Sequence, residues 1–447
     1  MSDRPVREIV APARRLLEPL ERFVKIEAAS GIVLIVAALA ALLWANSPWA
    51  HSYHDFWHAP VTLGVGPWVS SQSLHFWINE GLMSIFFLVV GLEIRREIHE
   101  GALSTLRQAA LPAVAALGGV MVPALIYFAF ASADPQLRHG WAIPTATDIA
   151  FAVGVLTLLG RRVPPALRAM LLALAIIDDI AAIVIIGLFY STGVTFAALG
   201  IAALGLIIAL LFQRLGIRSA WIYVIPGFVT WIGMLGAGVH PAIAGVLLGL
   251  ITPVAHPYAV GNALDRAADA LRRFGERSRK QHSDPHHLSE PLHELRDAEI
   301  DLLPPAHRVE LALHPWVAFG VMPLFALANA GVTLSGLEFD RPFVTVAGGV
   351  ALGLFLGKPL GILLATLVGV RLGLCKLPAG VTRSGILVLG CLGGIGFTMS
   401  IFIAELSFSN ATSLAAAKFA VLGASTAAAV VGFALGRVLL PMPRAAG

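Results

Sequence analysis

Apolar stretches of about 20 residues recur along this chain with mostly short polar breaks between them, each long enough to cross a ~30 Å hydrocarbon core as one helix. Backbone groups inside that core must be satisfied internally, which leaves helices and closed barrels as the only spanning structures. The stretches are continuous in Leu, Ala, Val, Ile and Gly rather than alternating, so the reading is a helical bundle and not a barrel. Composition agrees: 57% of the 447 residues are hydrophobic and 13% are charged, with mean hydropathy +0.81, against about 25% charged in soluble chains.

The pattern predicts an all-α polytopic membrane protein of about twelve transmembrane helices, over 30–46, 75–98, 108–131, 143–160, 165–191, 195–212, 219–236, 239–255, 313–334, 342–370, 383–405 and 412–438. Residues 1–29 form an N-terminal segment, and Leu16, Leu17, Leu20, Phe23 and Val24 fall at the spacing of an interfacial helix over 14–27. Residues 30–256 carry the first eight spans, with a β-hairpin expected at about 61–72 around Gly64, Gly66 and Pro67. Residues 257–308 are a polar insert read as a solvated loop, 309–440 carry the last four spans, and 441–447 are a tail. A zinc site on His282, His286, His287 and His293 is disfavoured, because cysteines and an enclosing fold are missing there.

With the N-terminus in the cytoplasm, Arg95, Arg96, Arg107, Arg161, Arg162, Arg168, Arg214, Arg218, Arg371, Lys376 and Arg383 lie inside. Of the 31 Lys and Arg residues, only Arg138 and Arg341 fall in outside loops, with Lys358 and Lys418 inside spans. That asymmetry sets both termini in the cytoplasm. It also accounts for the +4 charge and pI near 9.3 without a nucleic-acid partner. Residues 1–25 are too long and too charged for a cleavable signal. Cys375 and Cys391 read as ordinary small residues, not a disulfide framework.

Ionisable residues inside spans carry the chemistry, since a charge at the bilayer centre costs at least ~2.5–3.5 kcal/mol. Asp148, Asp178, Asp179 and Lys358 are such residues. Lys358 is roughly 20 Å from either end of its span, too far to snorkel. A purely structural Asp178–Lys358 pair would leave the adjacent second aspartate unexplained. Carboxylates, with Thr145 and Thr147 adding oxygens, suit a small hard cation. Desolvation and a like-charged neighbour raise a carboxylate's pKa, and a group poised near neutral holds either a proton or a sodium ion. That competition is the minimal chemistry of an antiporter. No cofactor is expected.

Two spans look broken. The fourth opens Ile143-Pro144-Thr145-Ala146-Thr147-Asp148, where side chains compete for backbone hydrogen bonds. The eleventh contains Gly385, Gly390, Gly393, Gly394 and Gly396, then Thr398. They stand seven positions apart in the order of spans, an odd offset, so they run in opposite directions. Repeats over spans 3–5 and 10–12 would be inverted, as in secondary transporters.

These residues spell out a resemblance. Phe86-Phe87-Leu88-Val89-Val90-Gly91-Leu92-Glu93, Gly140-Trp141-Ala142-Ile143-Pro144 with Ala146-Thr147-Asp148-Ile149-Ala150-Phe151-Ala152, and Leu174-Ala175-Ile176-Ile177-Asp178-Asp179 come first. Gly238-Val239-His240, Leu313-His314-Pro315-Trp316-Val317-Ala318, Gly357-Lys358-Pro359-Leu360-Gly361 and Gly394-Ile395-Gly396-Phe397-Thr398-Met399-Ser400 follow in order. From about residue 28 to about 437 the chain resembles the NhaA family of Na+/H+ antiporters. The resemblance implies twelve helices with discontinuous, crossed spans 4 and 11, and electrogenic, pH-regulated export of Na+ or Li+ against H+. It makes Asp178 and Asp179 the ion and proton carriers, with Asp148 and Thr147 in support. Lys358 balances the helix ends and pairs with Asp178. Glu93, Arg96, Glu97, Glu310, His314 and His240 match positions tied to pH response. Glu80 departs from the family's aspartate but keeps the charge, and the insert is longer than the family loop. A homodimer through the external hairpin, in the bacterial inner membrane among lipid, is implied.

Two rivals remain at this level. A sodium-coupled solute symporter would need a larger polar cavity. An intramembrane aspartyl protease would need two facing aspartates such as Asp148 and Asp179, and would leave Lys358 unexplained.

Overall fold

In the computed structural model, residues 29–65, 68–191, 193–217, 219–254, 260–278, 294–295, 303–334 and 339–441 are described. The expected interfacial helix at 14–27, the four insert histidines and most of the tail lie outside them.

The chain runs α1 (Ala29–Ala45) and α2 (Ala50–His58), then β1 (Pro60–Val65) and β2 (Trp68–Ser73). Next come α3 (Leu74–His99), α4 (Leu106–Ala131), a 3-10 segment (Leu137–Thr145), α5 (Ile149–Leu158), α6 (Pro165–Phe189) and α7 (Phe196–Arg214). They are followed by α8 (Ala220–Gly236), α9 (Ala242–Ile251) and α10 (Val260–Ser278). The last elements are α11 (Pro305–Asn329), α12 (Arg341–Arg371), α13 (Arg383–Gly393), α14 (Phe397–Ser407) and α15 (Ala411–Leu439).

Among the described residues, eight helical spans are long and apolar enough to cross a membrane, the 3-10 segment and α5 counting as one, or ten when α1–α2 and α13–α14 each count as one bent span. The shorter apolar helices α8 and α9 fall where the seventh and eighth spans are expected. At ten residues α9 rises about 15 Å, half a hydrocarbon core. The expected 239–255 is therefore too long: Gly238 turns with positive φ, and the helix starts only after Pro241.

Helix starts follow local chemistry. Asp340 and Asn410 accept from the backbone N–H groups of Phe343 and Thr412, each at 2.9 Å, and so cap α12 and α15. Pro305 opens α11 at a position where its ring fits and its missing N–H is not needed. That helix begins eight residues before the expected 313, because its first turns carry His307, Arg308 and Glu310 and hide from an apolar reading. Two helices were not expected at all. Helix α2 turns by 114° from α1, and α10 occupies part of the insert read as a loop. Ala, Leu, Phe and Arg at helical spacing in Leu264–Phe274 support α10, and Arg273 ties it to Glu294 at 2.5 Å. The hairpin does form: β1 and β2 pair antiparallel, with Pro60 opposite Ser73 and Val65 opposite Trp68.

The helices pack in two groups. Helices α4, α5, α6 and α12–α15 pack on one another with the 3-10 segment, while α3, α8, α9 and α11 form a second group, with α7 against α8. The groups meet chiefly through α3 against α6 and the end of α11 against α14. Within the first group, α4 and α12 touch backbone to backbone. A Cβ on Gly118 would lie 2.2 Å from the Gly361 carbonyl oxygen, and one on Gly361 2.1 Å from that of Gly118. This contact seats α12, and with it Lys358, deep in the bundle.

Candidate functional site

The two broken spans cross at their breaks. In the fourth, the 3-10 segment ends at Thr145, whose hydroxyl donates to the Ala142 carbonyl at 2.7 Å. Ala146 and Asp148 are extended, and Asp148 Oδ1 caps α5 by accepting from Phe151 N at 3.0 Å. In the eleventh, the chain turns by 47° at Gly394–Gly396. Ser425 of α15 accepts from the Gly396 and Phe397 amides at 3.2 and 3.0 Å. The freed backbone groups are thus satisfied by neighbours, as they must be at membrane depth.

The breaks bond to each other directly. Asp148 N donates to the Ile395 carbonyl at 2.7 Å, and the Ser400 hydroxyl donates to the Ile143 carbonyl at 2.7 Å. Asp148 Oδ2 accepts from Thr398 N at 3.1 Å and from the Thr398 hydroxyl at 2.5 Å. The Asp148 carboxylate therefore neutralises the amide end of α14.

Lys358 reaches this crossing from α12 with no exposed surface. Its ammonium donates to the Thr145 carbonyl at 2.6 Å, to Thr147 Oγ1 at 2.5 Å and to Asp178 Oδ2 at 2.9 Å. Thr147 Oγ1 in turn lies 2.6 Å from Asp178 Oδ2 and 3.0 Å from the Gly393 carbonyl, with one proton to give. The sequence-predicted Asp178–Lys358 pair is thus a direct contact, bridged by Thr147.

What remains is carboxylate oxygen. Asp178 Oδ1 is buried and carries no hydrogen bond. Asp179, 3% exposed, takes no part in the bonds above, and Glu93, Asp178, Asp148 and Lys358 are its charged neighbours. Small hard cations take such oxygens as ligands. Among the described residues, no three His, Cys, Asp or Glu side chains converge on one point to hold a resident metal.

The six residues proposed for pH response divide. Arg96 Nη1 lies 2.6 Å from Glu310 Oε1, and its Nη2 3.6 Å from Glu97 Oε1. Glu97 Oε2 also accepts from Ala102 N at 2.8 Å. These residues form one cluster where α3 ends and α11 begins. His314 lies one turn further along α11, and Glu93 lies one turn up α3, beside Asp179. His240 is elsewhere: its Nε2 is 3.2 Å from Glu80 Oε2, about 20 Å along α3 from Glu93. Because His240 Nδ1 accepts from Ala242 N, the ring proton sits on Nε2 and faces Glu80.

Sequence reasoning missed Ser400, Ser425 and the Thr398 contact, since uncharged hydroxyls inside spans carry no signal of cost. It also missed Glu405, which pairs with Lys418 at 2.5 Å and lies at the predicted end of its span, where a charge is cheap.

Comparison with known proteins follows the same lines. A family model described as Na+/H+ antiporter 1 matches residues 21–435. The chain is 57% identical over 425 residues to the Na(+)/H(+) antiporter NhaA of a Janthinobacterium species, covering 95% of this chain and 94% of that protein. It is 56% identical over 432 residues to Na(+)/H(+) antiporter NhaA 2 of Pseudomonas putida, covering 95% and 94%. It is 49% identical over 426 residues to the NhaA of Bartonella henselae, covering 95% and 93%. Crossed breaks, a buried lysine–aspartate pair and these matches over nearly the whole length lead to one assignment: the chain belongs to the Na+/H+ antiporter 1 family.

Proposed function

We propose that this protein is a secondary active transporter of the bacterial inner membrane that exchanges Na+ or Li+ for H+. The observation that carries this reading is the leftover carboxylate at the crossing. Lys358 and Thr147 occupy one oxygen of Asp178, and the other, together with Asp179, is buried without a hydrogen bond of this network. Such oxygens bind either a proton or a desolvated alkali cation, and the two exclude each other. Asp178 and Asp179 are the carriers; Asp148, Thr147 and Lys358 hold the crossing and balance its charge. The arginine-rich face, where Arg95, Arg96, Arg162 and Arg383 lie, is cytoplasmic, with both termini on that side. Exchange is electrogenic, because two carboxylates can load more than one proton per cation. The Arg96–Glu97–Glu310 cluster and His314 set its response to cytoplasmic pH, and Glu93 couples it to Asp179.

The protease reading is weak on the same geometry. Asp148, its required partner for Asp179, has both oxygens engaged by Phe151 N, Thr398 N and the Thr398 hydroxyl, leaving neither to activate water.

Everted vesicles with an acid interior test the proposal. Added Na+ or Li+ should collapse the pH gradient, and K+ should do far less. An equal response to K+ would refute selective exchange.

A further inference from the structure

The half-helix α14 runs from the crossing to the face opposite the arginine-rich one, and two layers of side chains lie along it. Thr398, in its first turn, bonds Asp148. One turn further, Phe402 is 1% exposed and meets rings from the other helix group: His240 edge-on at 5.1 Å, Phe87 at 5.4 Å and Phe325 at 6.1 Å. Roughly another turn on, Glu405 Oε1 takes Lys418 Nζ of α15 at 2.5 Å and stands 3.9 Å from His75 Nε2 at the start of α3, an electrostatic contact beyond hydrogen-bond reach. His75 Nε2 is held in turn 2.9 Å from Asn329 Oδ1 at the end of α11, and Asn329 Nδ2 donates to Asn79 Oδ1 at 2.9 Å. Seven residues, about 10 Å of helix, separate Thr398 from Glu405.

Two of these contacts cross the boundary between the groups: Phe402 against its three rings, and Glu405 toward His75. Glu405, Lys418 and Phe402 belong to the group that carries the ion site; His75, Asn79, Asn329, Phe87, Phe325 and His240 belong to the other. The Arg96–Glu310 pair on the arginine-rich face joins α3 to α11, within one group, and does not hold the groups together. Alternating access is largely the movement of one bundle against another around a fixed site. A bridge between bundles on one face closes that face.

We propose that Phe402 and Glu405 form a two-layer gate between the ion site and the face opposite the arginine-rich one: an aromatic plug beneath a Lys418–Glu405–His75 latch. The gate rests on the exchange reading above. In the state seen here both layers are made. Opening toward that face withdraws Phe402 from its three rings and parts Glu405 from His75, while Lys418 stays with Glu405 on the moving group. Glu405 is a positioning residue, since it touches the gate and not the ion.

The latch predicts a one-sided effect. Weakening it raises the population open to its own face without altering the ion ligands, so apparent affinity improves on that face. The full-length protein is reconstituted in liposomes, with orientation fixed by an impermeant label. Half-saturating Na+ is then measured from each face at one pH. For Glu405→Gln it should fall about three- to tenfold from the face bearing Glu405 and stay within about twofold from the arginine-rich face. Glu405→Asp should stay near wild type on both faces. If Glu405→Gln does not insert, His75→Ala must show the same asymmetry. Equal shifts on both faces, a shift confined to the arginine-rich face, or no shift would each overturn the gate. Wild-type protein that moves no protons on Na+ addition would overturn the exchange reading and the gate together. Wild-type exchange with a symmetric Glu405→Gln effect overturns the gate alone.

Discussion

Lys358 has three N–H bonds to give, and the Thr145 carbonyl, Thr147 and Asp178 take all three. Its charge is therefore satisfied only while Asp178 stays ionised or an equivalent acceptor replaces it. Asp178→Asn removes one member of a buried pair, a change that typically costs ~3–5 kcal/mol, partly relieved if the lysine gives up its proton. It should lower the melting temperature in detergent and change the charge moved per cycle. Asp179→Asn should melt near wild type and abolish exchange, because Asp179 supports none of those bonds. Early melting of Asp179→Asn with a stable, active Asp178→Asn would reverse the assignment. Acid should act on the same two groups by mass action. If protons and Na+ compete for one set of oxygens, as proposed, half-saturating Na+ should rise as pH falls and drop as pH rises. A value flat from acid to alkaline pH would remove competition as the mechanism. The pair was legible in the sequence because both residues sit where a charge is expensive. Glu405 was not, because its position near a helix end makes a charge ordinary, and only the fold brings His75 to it.

Broken helices depend on what replaces the missing hydrogen bonds, and the two breaks solve this differently. The fourth uses its own side chains, Thr145 and Asp148, so its irregularity is written in the local sequence. The eleventh depends on α15, where Ser425 takes two amides, and on glycines that admit close neighbours. Nothing local announces Ser425, so the glycines by themselves do not specify how the break is held. The glycines at this turn are not equivalent. A Cβ on Gly394 would lie 2.5 Å from the Leu354 carbonyl oxygen, a backbone atom of α12 that cannot swing aside. One on Gly396 would meet Ser400 Oγ at 2.1 Å and Leu354 Cδ2 at 2.8 Å, side-chain atoms that can yield, Ser400 at the cost of its bond to the Ile143 carbonyl. Gly394→Ala should therefore be the more damaging, by about 1–3 kcal/mol of overpacking. It should also weaken Na+ binding, since α12 carries Lys358. Thermal melting of both variants, with Na+ half-saturation for each, makes the comparison. A Gly396→Ala protein that melts earlier than Gly394→Ala would show that the crossing is held from α14 and not against α12.

At the scale of the molecule, the spans were legible to within a few residues wherever an apolar run was unbroken. They were misplaced where polar first turns or a short helix departed from that pattern, as in α11 and α9. The hairpin was legible from its turn residues. Two strands alone are marginal in water. These two have some support from their own chain: Leu74 N donates to the Ala59 carbonyl, Trp77 Nε1 to the Val61 carbonyl at 3.4 Å, and Thr62 Oγ1 to Ser71 Oγ at 3.0 Å. The exposed side chains include Val69, at 63%. A two-stranded sheet offers open edges to another chain, and we propose that a second copy presenting the same edge extends it by strand addition, giving a homodimer. The proposed ion site lies among α5, α6, α12 and the α13–α14 break, and takes no residue from the hairpin. Deleting residues 61–72, with a short linker joining α2 to α3, should yield a monomer that still exchanges Na+ for H+. Native mass spectrometry in mild detergent reads the first outcome and vesicle assays the second. A deletion protein that stays dimeric would place the interface elsewhere. A monomer that folds yet cannot transport would mean that pairing, and not only the single protomer, completes the cycle.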